Sequence, residues 1–520
     1  MGDGFVALIL VIVFTASAIL LARRQSAPID DVERARREGH AKVAQWLANL
    51  SAQHNLRAGD FLGVAAEHFE QAGDGPNAAE FHARAAEEAV RRFAHERVLV
   101  HVGRALALLG EAAPERLLAQ AELRWRLLVA RVRVLDLQAQ RDEQVADLNA
   151  MDQLADLLAD DQRRADVAWR RSLRAMRMAD WAEQERYARQ SLACATRAGD
   201  DFLQLRGLRL VAISRLHQGD IEAGRALTLQ ALDHARSLKL RGVELRGLEA
   251  MLLDNLANVA AREGNWVATL DFIQQSLAIS RENGDRVNEA IGLLTQGAGW
   301  MALGDLEQGR RDLDAALHML RANGDRDMEG AALGHLSRLA LWQGDETRAL
   351  GLARSSLEIA VAAKARESEV AAELRLGDAE LSLGRLGDGM QAYTRARARA
   401  LEINSHMQFD ACAGLARVAL AEGDAPAALD AVQPVLEHVA TGGKLEGLTD
   451  SPTRIEITCH QALACAGDPR ATQWLSRAHT ALMTEADAIG DVSLRKGYLQ
   501  NIPEHREVVV AWAMRSTPPR

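Results

Sequence analysis

The run Gly442-Gly443-Lys444-Leu445 is the nearest approach in this chain to a loop that cradles phosphates. It lacks the leading glycine of G-x-x-x-x-G-K-[ST] and the hydroxyl that would reach a magnesium ion, so it is no nucleotide site. Cys459 and Cys465, in CHQALAC, are close enough in sequence to suggest a metal. Six residues apart on a helix, however, they face different ways, which does not suit zinc. With Cys194 and Cys412 they read as scattered, buried thiols of a reducing compartment. Histidines such as His68, His217 and His505, and the many carboxylates, fall at helical spacing with no strand-turn-helix context for a nucleophile. No paired metal-binding aspartates of a cyclase and no kinase catalytic loop are visible. No catalytic, cofactor or metal residue is expected, and the chain reads as a non-enzyme.

Charge excludes a second class. The net charge is −10 with 62 basic residues, nearly all of them arginine, since lysine occurs only at 42, 239, 364, 444 and 496. Both signs interleave along the chain in the manner of solvated helices laced with i,i+4 pairs. Arg91-Arg92, Arg163-Arg164, Arg170-Arg171 and Arg310-Arg311 stand apart from one another, whereas a duplex-binding stripe would need them clustered. No nucleic-acid partner is expected.

The elements that would position any binding residue announce themselves by period. A glycine followed by Asp, Asn or Arg recurs at Gly219, Gly264, Gly304, Gly344, Gly384 and Gly423, the last four steps being 40, 40, 40 and 39 residues. A second set of turns, at Gly199, Gly284, Gly324, Lys364 and Asn404, lies half a period away and leaves about 15 helical residues per half-repeat, roughly four turns. Fainter turns near Gln140 and Ala179 extend the period toward the N-terminus, and Gly73-Asp74-Gly75-Pro76 marks a related hairpin. The 45-residue step from Gly219 to Gly264 implies an irregularity around Lys239 to Glu244. A helical hairpin cannot bury its apolar stripe alone, so such copies stack into a solenoid. No strand is expected.

Aligned on the turn glycines, one column reads Ala212, Ala257, Gly297, Ser337, Gly377 and Ala416, and another reads Gly224, Thr269, Gly309, Ala349, Gly389 and Ala428. Small residues on both helices let the backbones approach, while the neighbouring Val211, Leu256, Leu336, Leu376 and Leu415 fill the groove beside them. This pattern resembles the tetratricopeptide repeat. The expected fold class is therefore all-α, a right-handed superhelical α-solenoid of tetratricopeptide-like helix pairs, preceded by an N-terminal apolar helix. By resemblance to peptide-binding proteins of that kind, two columns of the first helix line the concave groove, six and two residues before the glycine. They supply the expected partner-binding residues Asn258, Arg262, Arg338, Trp342, Asp378 and Arg417, which offer amide, guanidinium, carboxylate and aromatic contacts to a protein or peptide.

Residues 5–22, FVALILVIVFTASAILLA, carry no charge and would span about 27 Å as a helix. Arg23 and Arg24 follow them, which predicts a single-pass anchor in the cytoplasmic membrane with the repeats in the cytoplasm, the alternative being a cytoplasmic protein whose N-terminus is a misplaced start. The expected layout is 1–25 as a transmembrane anchor, 26–115 as entry hairpins, 116–440 as the repeats and 441–520 as C-terminal helical pairs and a cap. In that cap Pro503 starts a helix after Asn501, and Ile502, Val508, Val509 and Trp512 cover the apolar end of the last repeat.

The stretch from Gly39 to Gly110, including HAKVAQWLANL and NAAEFHARAAEEAVRRFAHERVLVHVGRALALL, resembles the segment that follows the ATPase in large bacterial signalling proteins. Those proteins join a class III adenylate/guanylate cyclase, a kinase or a DNA-binding module to an AAA-like (STAND-type) ATPase and then to tetratricopeptide repeats. The passage ending YLQNIPEHREVV, with Leu499, Asn501, Pro503, His505 and Arg506, is similar to the end of the same proteins. The resemblance implies the repeat region without the ATPase or cyclase. Two functions follow from it: a scaffold or sensor in bacterial signal transduction, or the regulatory repeats of an incomplete signalling ATPase, cyclase or transcriptional regulator.

Overall fold

Each turn glycine at Gly219, Gly264, Gly304, Gly344, Gly384 and Gly423 takes a positive φ, between 71° and 84°, which closes one helix and redirects the chain. The next residue then caps the following helix: Asp220, Asn265, Asp305, Asp345 and Asp424 each accept a hydrogen bond from the backbone N–H three residues on, at 3.0–3.2 Å. At the offset turns Lys364 and Asn404 hold φ of 53° without being glycine, as do Phe93, Ala139, Ala159 and Ala179 at φ of 49° to 57°. A Cβ at positive φ costs on the order of 1 kcal/mol. With no glycine to mark them, the turns at Phe93, Ala139, Ala159 and Ala179 leave the early repeats faint in sequence.

The computed structural model describes residues 29–53, 58–110, 114–238, 242–447 and 449–515. Among them lie 24 helices and no strand. The chain divides into two units, residues 1–136 with 142–160, and residues 137–141 with 161–520. In the first, Ile29–Gln53, Ala58–Ala72, Gly75–Arg91 and His95–Leu109 form consecutive antiparallel helices. Alanine-rich faces join them: Ala44, Ala65, Ala66, Ala78 and Ala85 pack with Leu47, Leu62 and Phe69, and Ala79, Ala83 and Ala86 pack with Val98 and Val102.

In the second unit the two small columns meet within each hairpin. A Cβ on Gly224 would stand 3.1 Å from the Ala212 carbonyl oxygen, and one on Gly309 equally close to that of Gly297. Where the column carries a hydroxyl, it bonds across the same seam: Ser337 donates to the Ala349 carbonyl at 2.7 Å, and Thr269 to that of Ala257 at 3.3 Å. The seam recurs from hairpin to hairpin, so the tetratricopeptide-like, all-α array is seen in the packing as well as in the period.

The C-terminal part departs from a simple cap. After the helix Ala425–Ala440 the described residues 441–447 and 449–451 are non-helical, and the chain then forms Pro452–Cys465, Ala471–Ala488, Val492–Gln500 and Pro503–Arg515. Ile455, Cys459 and Ala462 extend the core of the preceding hairpin, against Ala413, Ala416, Val432 and Val435. Leu475, Ala478, Leu482, Tyr498, Ile502 and Val508 instead join Ala257, Leu270, Ile273 and Leu303, four repeats earlier. Pro503 does open the last helix, and Ile502 and Val508 are buried, but Val509 is exposed. These residues fill the inner side of the array where an end cap was expected.

The single-pass membrane placement is corrected. No helix among the described residues is long and apolar enough to cross a membrane. The longest, Ile29–Gln53, carries charged residues through its first half, from Asp30 to Glu38, as the outer faces of stacked hairpins must. The expected apolar N-terminal helix and span, residues 5–22, lie outside the described residues.

Candidate partner-binding wall

The two columns read from the sequence fall on the first helices of successive pairs, and most of their residues meet other parts of the chain. Arg262, at the end of Val243–Arg262, donates through Nη1 to the Gly447 carbonyl oxygen at 2.9 Å, and its Nη2 lies 3.5 Å from His217 Nδ1. Gly447 is required there, because it sits at φ 74° and a Cβ would overlap the Arg262 carbonyl. His217 stacks on Trp181 with centroids 3.8 Å apart. Burial, reinforced by the Arg262 charge, pulls this imidazole down to about 3, so it is neutral at physiological pH.

Two repeats on, the wall becomes a charged network. Arg338, on Arg326–Trp342, and Arg375, on Arg366–Ser382, both pair with the Asp450 carboxylate, which reaches in from the non-helical crossing. Asp378 accepts from Arg454 Nη1 at 2.8 and 2.7 Å, from Tyr393 Oη at 2.7 Å and from Arg375 at 3.1 Å. Asp410 accepts the backbone N–H groups of Asp450 and Ser451 at 3.0 and 3.1 Å. Burial pulls Arg338 down to about 9, with Arg375 and Arg454 adding to the effect. Burial likewise pushes Asp410 up to about 6, against the nearby Arg454. Buried charges at this density persist only because nearly every one has a counter-charge or donor.

Farther along, Arg417 and Glu507 form an ion pair at 3.6 Å, and Asn501 donates to the Gly304 carbonyl at 2.9 Å. Ser451 Oγ donates to Glu504 Oε1 at 3.0 Å. Trp342 is half-buried and packs against the cluster holding Tyr498 and Ile502. Of the six residues read from the sequence, Arg262, Arg338, Trp342, Asp378 and Arg417 thus meet the chain's own C-terminal segment. Asn258 is exposed and turns its amide back to the Asp254 carbonyl at 3.0 Å.

Sequence reasoning missed Arg375 and Asp410 on the repeats and Gly447, Asp450, Arg454 and Glu507 opposite them, although it singled out Asn501. A signal for them did exist. YLQNIPEHREVV contains Asn501 and Glu504, two of the side chains that tie the closing helices down, and His505, whose Nδ1 lies 2.8 Å from the Tyr498 carbonyl. The wall has the chemistry of recognition by guanidinium, carboxylate and carbonyl. Among the described residues no group of three or more His, Cys, Asp or Glu is placed to hold a metal ion.

No family model and no curated protein matches the chain. Solved structures of repeat proteins do. It is similar to a signal transduction ATPase with numerous domains, a STAND protein with a tetratricopeptide repeat sensor from Pyrococcus horikoshii, at 14% identity over 89% of this chain and 67% of that one, TM-score 0.41. The Rap conjugation gene regulator of the plasmid pLS20, solved with the Phr* peptide, is 11% identical over 72% of this chain and 99% of that one, TM-score 0.46. The apo quorum sensor NprR from B. thuringiensis is 11% identical over the same shares, TM-score 0.44. None of these assigns the chain to the cyclase-bearing family that its ends resemble.

Proposed function

We propose that the chain is a non-catalytic repeat scaffold that senses or recruits a protein partner through its inner wall, and that its own C-terminal segment is the resident occupant of that wall. One observation carries this reading: Arg262, Arg338, Asp378 and Arg417 grip Gly447, Asp450, Arg454 and Glu507. The occupant defines the chemistry that fits, an extended stretch with a free carbonyl and a carboxylate seated between two arginines. Only the non-helical part, described at residues 443–447 and 449–451, has to lift for a partner segment of that chemistry to compete. The helices after it stay anchored by their apolar cluster.

The resemblance of residues 39–110 and of YLQNIPEHREVV to signalling ATPases supports a place in bacterial signal transduction. The same motif favours a second reading, regulatory repeats that act on an ATPase or cyclase module, because Asn501 and Glu504 are the residues that hold the wall in its filled state.

The test is a labelled peptide of residues 443–456, titrated onto the full chain and its Asp450→Ala variant by fluorescence anisotropy. Loss of the resident carboxylate should let the peptide bind the variant about tenfold more tightly than the wild type, and Arg338→Ala/Arg375→Ala should bind it weakly or not at all. Absence of saturable binding to Asp450→Ala would remove the proposal.

A further inference from the structure

Four consecutive helices of the first unit each carry one histidine into a shared interior. His40, on Ile29–Gln53, and His68, on Ala58–Ala72, bring their Nδ1 atoms to 2.7 Å. His82, on Gly75–Arg91, and His101, on His95–Leu109, do the same at 2.9 Å. His82 is fully buried, and His40 and His68 are more than nine-tenths buried. The rings lie close, with centroids 4.9 and 5.2 Å apart.

Two nitrogens at that distance share one hydrogen, so each pair works with one donor and one acceptor. In the second pair the roles follow from a third group. Glu70 Oε1 lies 2.6 Å from His82 Nε2 and accepts its N–H. Neutral His82 is then bare at Nδ1, and His101 must donate through its own Nδ1. A first added proton can be absorbed by exchanging tautomers, since His82 keeps Glu70 as a counter-charge. A second puts N–H against N–H across the gap, and the contact becomes repulsive.

We propose that these two imidazole pairs are an acid-sensitive clasp: the four helices hold together while each pair shares a single N–H, and separate when both rings of a pair are protonated. The charged groups facing the clasp act differently on its rings: around His101 they favour the neutral form on balance, whereas Glu70 favours a protonated His82 and is outweighed by burial. Arg36 on the first helix faces His40, Arg97 and Arg104 on the fourth face His101, and Glu67 and Glu70 on the second are the opposing carboxylates. Glu67 is itself engaged by Arg104 at 2.8 Å. Gly63 leaves the space that the His101 ring enters, because a Cβ there would stand 2.9 Å from its Cε1.

Burial holds all four imidazoles below their ordinary value, His101 as low as about 4. The unfolded chain therefore takes up protons before the folded one. The clasp's contribution is complete above the free imidazole value near 6.5 and is lost progressively as pH falls toward that of His101.

The test is hydrogen exchange by mass spectrometry on the full chain, corrected for the intrinsic pH dependence of exchange. Between about pH 7 and pH 5, protection of residues 29–53, 58–91 and 95–109 should fall about tenfold relative to the helix Arg286–Ala302. In His68→Asn/His101→Asn, which keeps a hydrogen-bonding group at each Nδ1 position but cannot titrate, the fall should be under about twofold. An equal fall in the variant, or none in the wild type, overturns the clasp. Imidazole C2–H exchange in the wild-type chain gives a reading that needs no variant. Depressed midpoints for His68 and His101 support the proposal, and midpoints at the free value reject it.

Discussion

Arg454 donates through one guanidinium nitrogen to both oxygens of Asp378, at 2.8 and 2.7 Å, and so joins the closing helices to a wall built 76 residues earlier. Burial alone would raise the Asp378 carboxyl. Arg454 and Arg375 outweigh it and hold the group below its ordinary range.

Asp378→Ala removes the counter-charge of two buried guanidiniums and should cost about 3 to 5 kcal/mol. The exposed pair Arg310–Glu307 is the control, since Glu307→Ala leaves nothing buried unpaired and should barely move the curve. Urea denaturation decides between them, and equal effects would mean that the network contributes no more than a surface contact.

Gly304 and Gly344 share a positive φ, 77° and 80°, but differ in surroundings. A Cβ on Gly344 meets nothing within 4 Å, whereas one on Gly304 would overlap the backbone of Gly497. Gly344→Ala should therefore cost about 1 kcal/mol from backbone strain alone. Gly304→Ala should cost about 1 to 3 kcal/mol more and should raise proteolysis after Arg495 and Lys496. Matched stabilities would show that the approach of the closing helix is not tight.

Glu456 is pushed up to about 7 by burial, against the pull of Arg477. A carboxyl raised in the folded state destabilises as it is forced to ionise, so its contribution is unpenalised below the unfolded value of 4.5 and is eroded as pH rises toward 7. Relative to wild type, Glu456→Gln should gain stability progressively over that window and then level off. A difference independent of pH would reject the assignment.

Deleting residues 490–520 removes Tyr498, Ile502 and Val508 from the core cluster they share with Leu270, Ile273 and Leu303. Each large side chain returned to water costs about 1.5 to 3 kcal/mol, so the melting temperature should drop by on the order of 10 °C. A truncated chain that melts unchanged would mean the closing helices are not part of the fold.

The array was legible because its grammar is local. A glycine at positive φ and a capping Asp one residue later write each turn, and the small columns write the seam between helices. The early turns at Phe93, Ala139, Ala159 and Ala179 were faint because the signal there is a backbone angle with no glycine to mark it. The wall residues could be placed on one face by counting turns, since Arg338 and Trp342 are i,i+4 neighbours. What sits against them could not. The bond between Arg262 and Gly447 joins positions 185 residues apart, and no periodicity connects a guanidinium to a carbonyl at that separation. The aligned columns also passed over Arg375, which lies three residues, about one helical turn, before the column residue Asp378.

The hydrogen bond from Asn501 to the Gly304 carbonyl spans 197 residues. On a ribosome adding about 5 to 20 residues per second, that interval lasts roughly 10 to 40 s. Neighbouring hairpins can zip together as they emerge, but the groups that meet Gly447, Asp450, Asn501 and Glu507 wait without those partners until the final helices are made. A nascent or prematurely terminated chain therefore presents a wall with unneutralised arginines. Quality control by chaperones and proteases would meet this protein first as that open wall.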